Sequence, residues 1–172
     1  YSSYIEAYAH ISSKVRVKKS WEEKGEVCAV IKIQLQQQVA LTREGFLATL
    51  EIENQQNQGL TDITAEIDIT DSATRETATL RFAIGKPKLS GDMKPGPNSS
   101  YVLGKYAKGK LEWLIIPYSS AAPESTTVYD VGGVLKYTSA VNFLEVPLLA
   151  SPISVKPDES LLVHYFWAKY VD

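Results

Sequence analysis

The stretch that decides the fold is "FLATLEIENQQNQGLTDITAEIDITD", residues 46–71. Phe46, Ala48, Leu50 and Ile52 alternate with Leu47, Thr49, Glu51 and Glu53. Beyond the polar "NQQNQG", Ile63, Ala65, Ile67 and Ile69 alternate with Thr64, Glu66, Asp68 and Thr70. A period of two over this length marks half-buried β-strands. Asn and Gly tolerate turn geometry, so the stretch reads as an antiparallel hairpin with a loop longer than minimal.

The same pattern recurs outward from there. "KVRVKK" (14–19), "VCAVIKIQLQ" (27–36), "ATLRFAI" (78–84), "KLEWLIIP" (110–117), "TVYDVGGVLKYT" (127–138), "NFLEVPLL" (142–149) and "PISVKP" (152–157) all read as strands. The Gly132–Gly133 pair predicts a bulge, and Pro147 predicts an edge or a bulge. Residues 3–15 carry a rough helical stripe through Ile5, Tyr8 and Ile11 but also fit an extended chain. Residues 159–171 read as a strand from their aromatic and β-branched content. Residues 85–109, rich in Gly, Pro, Ser and Lys, read as a long loop with a short strand near Tyr101–Leu103. Short strands with Gly/Pro punctuation predict an all-β, antiparallel sandwich of about 7–9 strands.

Bulk composition agrees. The chain has 172 residues, 44% hydrophobic, with ten Tyr, three Trp and one Met. That is enough apolar mass for a core without disulfides or metal. A net charge of −2 gives no general pull toward nucleic acid or anionic membrane. Cys28 is the single cysteine, which rules out an intramolecular disulfide and a Cys-rich zinc site. No apolar run approaches the length of a membrane-spanning helix.

Three features invite a functional reading. Glu51, Glu53, Glu66 and Asp68 would share the outward face of the hairpin. Like charges across a strand pair cost stability, and carboxylate oxygens suit a calcium ion that would relieve them. The plainer reading is a wet sheet face. Lys86, Lys88, Lys94, Lys105, Lys108 and Lys110 cluster against the single acid Asp92, with Tyr101 and Tyr106 between them. Such a patch suits a sulfated glycan, an anionic polymer, a partner's acidic face, or the acidic strands of a second copy; the plainer reading is solubilising lysine. Asn98 begins an N-x-S pattern, "NSS", in the same segment.

Nothing assigns a catalytic residue or a cofactor. His10 and His164 with Cys28 fit no zinc spacing and no hydrolytic triad. Trp113, Tyr129, Tyr137 and Phe143 read as core, and "HYFW" (164–167) with Tyr170 as core, interface or stacking platform.

The segments "ATLEIENQQNQGLTDITAEIDITD", "WLIIPYSSAAPESTTVYDVGGVLKYT" and "VPLLASPISVKPDESLLVHYFW" together resemble the Ig-like modules of large tandem-repeat secreted or cell-surface proteins, bacterial-type adhesion-related modules among them. Asn54, Leu60, Asp62 and Ile63 carry the first part of the resemblance. Val131, Gly132, Gly133, Leu135 and Tyr137 carry the second, and Pro157 and Asp158 the joint to a following module. It spans about residues 27–160 and implies a non-enzymatic structural or adhesive module. Such a module is extracellular or at the cell surface and touches neighbouring modules and a protein or glycan partner. It implies a lead-in at 1–26, a sandwich at 27–158, and at 159–172 a last strand, a docking tail or the start of the next module. The rivals are an intracellular adaptor-ear-like sandwich that binds peptides, and a carbohydrate-binding or hydrolase-associated sandwich.

Overall fold

A computed structural model describes residues 29–140 and 142–158. The readings at 1–28 and 159–172, including the strand at 14–19, the helical stripe, Cys28, both histidines and "HYFW", lie outside the described residues. In chain order the strands are β1 (Ala29–Leu35), β2 (Val39–Leu41), β3 (Phe46–Asn54), β4 (Leu60–Asp71), β5 (Phe82–Ile84) and β6 (Lys88–Gly91). They continue with β7 (Lys94–Pro95), β8 (Tyr101–Leu103), β9 (Lys108–Pro117), β10 (Thr127–Ser139) and β11 (Asn142–Lys156).

Two sheets face each other. The first runs β1-β3-β9-β5, with β6 also on β9; the second runs β2-β11-β10-β4-β8-β7. This is the order of an Ig-like sandwich, in which the first strand belongs to one sheet and its continuation crosses to pair with the last strand of the other. Here β2 makes that crossing and runs parallel to β11. Alternation does the packing. Leu50, Ile52, Leu111, Trp113 and Ile115 from the first sheet and Ile63, Ile69, Val131, Leu135 and Ile153 from the second are buried in one core.

The all-β Ig-like class holds, with more strand segments than expected because several are very short. The hairpin at 46–71 does not. β3 pairs with β1 and β9, whereas β4 pairs with β10 and β8, so the two strands lie in opposite sheets. Asn54 holds the crossing connection in place. Its buried Nδ2 donates to the carbonyls of Gln58 (2.7 Å) and Gly104 (2.8 Å), and its Oδ1 accepts from the Gln56 amide (3.0 Å). The loop is thereby folded over the end of the core and not into a two-strand turn.

Four further readings change. Residues 79–81 form a 3-10 turn, leaving only Phe82–Ile84 as strand. The segment 85–109 holds the expected short strand at Tyr101–Leu103, β8, but is otherwise not one long loop: β6 pairs with β9 and β7 with β8, and β6 and β7 are too short to show a period in sequence. Residues 142–149 and 152–157 are a single strand. It tolerates Pro147 and Pro152 because β2 joins its outer edge only from Ser154 onward. The predicted bulge lies where expected, between Val131 and Gly133. Phe143 is not core: it lies on the outward side of β11, opposite Thr138, and is largely exposed.

Candidate functional site

The outer face of the first sheet divides into two parts. Toward the pole capped by the Asn54 loop, hereafter the upper pole, it is a charged ladder. Register places Lys110 opposite Glu51 and Lys108 opposite Glu53, and the pairs close at 3.7 Å and 3.0 Å. Lys32 faces Glu51 from the other side, and Lys88 faces Glu112. The hydrogen bond from Lys108 holds the Glu53 carboxyl below its ordinary range. Exposed pairs of this kind add little stability, but they fix where each charge goes.

The structure distributes both clusters expected from sequence over the two sheets. Glu51 and Glu53 lie on the first sheet, Glu66 and Asp68 on the second. The four therefore do not converge on one calcium site, because the connection between their strands crosses the core. Asp68 instead accepts a hydrogen bond from the Thr79 hydroxyl (2.6 Å), and Glu66 is solvent-exposed opposite Val134. The six lysines do not form one patch either. Lys88, Lys108 and Lys110 sit on the first sheet opposite carboxylates of this same chain. Lys94 belongs to β7 in the second sheet, and Lys86 and Lys105 lie in connections. The acidic and basic segments thus meet within one chain. Asn98 lies exposed at the tip of the β7–β8 hairpin with φ 52°, and the Ser100 hydroxyl donates to the Pro97 carbonyl (2.6 Å).

Toward the lower pole the same outer face turns apolar. Leu114 and Ile116 alternate outward on β9, Tyr118 continues their row, and Leu47 lies opposite Leu114 on β3. Leu114 is 48% and Tyr118 50% exposed. Gly45 keeps the shelf open at its edge: a Cβ there would lie 2.6 Å from the Leu114 side chain. The signal lies in "WLIIPY", where both faces of the strand are apolar, so that alternation alone does not single out the outward row.

The lower pole itself is locked by polar groups. The Tyr129 hydroxyl donates to the Ala121 carbonyl (2.6 Å) and accepts from Arg81 Nη1 (3.2 Å), and its ring meets Phe82 edge-on at 4.9 Å. A tyrosine near the start of this strand, bonded back to the preceding connection, is a recurrent corner of Ig-like sandwiches. Asp71 accepts from the amides of Ala73 (2.9 Å) and Thr74 (3.1 Å) and lies 3.8 Å from Arg81. The Thr74 amide leads in holding the Asp71 carboxyl below its usual range. The bond to Tyr129 leads in raising Arg81. These groups are all engaged with one another and serve the fold.

On the second sheet, Gly132 and Gly133 leave a hollow of about 270 Å³ bordered by Asp68, Asp130, Arg75 and Leu148. Arg75 bonds Asp130 at 3.1 Å across it. Among the described residues no group of three or more His, Cys, Asp or Glu is arranged to hold a metal, and no helix is long and apolar enough to cross a membrane.

No family model matches the chain, and no curated protein matches it. Among solved structures it is similar to AvmM, described as catalysing macrocyclization in alchivemycin A biosynthesis. That match has 9% identity over 77% of this chain and 92% of that one, at a TM-score of 0.52. It is also similar to AggA, the major subunit of aggregative adherence fimbriae type I from Escherichia coli, at 7% identity over 76% and 95% of the two chains and TM-score 0.40. The periplasmic chaperone SfaE gives 10% identity over 76% and 59%, TM-score 0.38. At such identities the likeness is one of fold, a β-sandwich.

Proposed function

We propose that this chain is a non-enzymatic, in-line structural module of a larger extracellular or cell-surface protein, touching its neighbours and a protein or glycan partner. One observation carries the reading. The chain enters the sandwich at the upper pole, where Ala29 pairs with Asn54, and leaves at the lower pole, where Lys156 pairs with Leu41. Tension between the two ends runs along the strands. It loads the β2–β11 ladder in shear, so its hydrogen bonds resist together. The exit is fastened once more by the Asp158 amide, which donates to the Thr42 hydroxyl (2.8 Å). The extracellular setting rests on the resemblance at Asn54–Ile63 and Val131–Tyr137.

Stretching the full chain between its two ends in an optical trap tests the load-bearing role. A spacer unfolds in one cooperative step, and shortening the β2 ladder by Ala40→Pro lowers its unfolding force. Gradual yielding at low force, or a force indifferent to that change, would sink the proposal.

A further inference from the structure

We infer that the apolar shelf of Leu47, Leu114, Ile116 and Tyr118 is the docking surface for the chain's own residues 159–172. An exposed, contiguous apolar patch on a sheet face marks an interaction site. Three observations select this occupant.

The first is place. The described chain ends at Asp158, bonded to Thr42. Thr42 stands at the start of the turn that leads through Gly45 to Leu47, the edge of the shelf. The second is reach. Residues 159–172 extend up to about 46 Å when fully stretched, ample to reach the shelf, since the Arg43 amide beside Thr42 donates to the Pro117 carbonyl (2.8 Å) at the end of the Leu114 strand. The third is composition. "ESLLVHYFWAKYVD" contains nine apolar or aromatic residues, which an apolar shelf suits. The other candidate, the segment before β1, joins the sandwich at the opposite pole, and its residues 14–26 carry eight charges. Covering the charged ladder that borders the shelf with apolar side chains would desolvate its charges at a cost, which limits the docked segment to the lower half of the face.

Docking would set the angle at which the chain leaves the module. It extends the in-line reading but is separable from it: an undocked segment leaves the pole-to-pole path as it is, and that path is read by stretching.

The test is amide hydrogen exchange of the full chain, read by mass spectrometry on peptides from 159–172. In the unaltered chain these amides exchange at least about tenfold more slowly than free chain. Leu114→Lys places a charge on the shelf and abolishes the protection. Val128→Lys, on the outer face of the other sheet, leaves it intact. Should Leu114→Lys fail to fold by thermal melt, Tyr118→Ser serves in its place. Free exchange in the unaltered chain overturns the inference. So does protection that survives both shelf variants, which puts the segment elsewhere. Protection that fades on dilution also overturns it, and assigns the shelf to a second copy.

Discussion

The two ends of β10 carry the same residue type in opposite circumstances. Tyr129, at the lower pole, and Tyr137, toward the upper, both point into the core and are both almost wholly buried. The Tyr129 hydroxyl is bonded to Ala121 and Arg81, whereas the Tyr137 hydroxyl has no partner among the described residues. Burial accordingly pushes the Tyr137 phenol up. The lower pole is held by a tyrosine and its charged neighbours. The upper pole is held instead by Asn54, with the Ser139 hydroxyl donating to Gln56 Oε1 (2.6 Å). The difference teaches that aromatic burial alone does not tell which hydroxyl organises a pole; the carbonyl waiting opposite does.

The largest effect should come from the point between the two tyrosines. Gly133 has φ 145°, and a Cβ there would run into the Glu66 carbonyl oxygen. Gly133→Ala is expected to cost more than about 3 kcal/mol, since neither the backbone conformation nor the space admits a side chain. Urea unfolding checks it, and a loss below 1 kcal/mol would show that the bulge relaxes easily. Next comes the upper pole. Asn54→Ala removes two donors and one acceptor from a buried loop and is expected to cost about 2–3 kcal/mol. A smaller loss would mean that water replaces the amide.

At the lower pole, Tyr129→Phe is expected to cost about 1–2 kcal/mol, because the Ala121 carbonyl loses its donor. The charged part of that pole also predicts a pH dependence. Asp71 has a folded-state pKa below its ordinary 3.8. Its contribution is therefore complete above that value and is lost as pH falls through the lower, folded one. Asp71→Asn should flatten the acid limb of a stability–pH curve and leave the neutral region's slope unchanged. The smallest effect belongs to Tyr137→Phe. Removing an unpartnered buried hydroxyl should be neutral or slightly stabilising. A clear loss of stability there would reveal a partner for that hydroxyl and erase the contrast between the poles.

Strand existence was legible because period-two alternation is local: each residue's burial is written in its neighbours two positions away. It located β1, β3, β4, β9 and β10 within a few residues, and the Gly pair announced the bulge. Pairing was not legible. β3 and β4 alternate in nearly the same way, and nothing in that pattern states whether the next strand lies beside the first or across the core from it. The short strands β6 and β7 escaped for a related reason, since four and two residues hold no period and only their partners make them strands.

The candidate sites suffered from the same limit. Residue type named the acids and the lysines correctly as outward-facing charge. Whether they would gather or neutralise one another depended on register, which set Lys108 against Glu53 and Lys110 against Glu51 while carrying Glu66 and Asp68 to the far sheet. The sequence by itself determined an all-β chain with a large alternating core, a glycine bulge and a strand tolerant of proline. The tertiary structure alone decided which faces are shared. A side chain's direction is a local property of the pleat, but its neighbour across the strand is chosen by contacts distant in sequence.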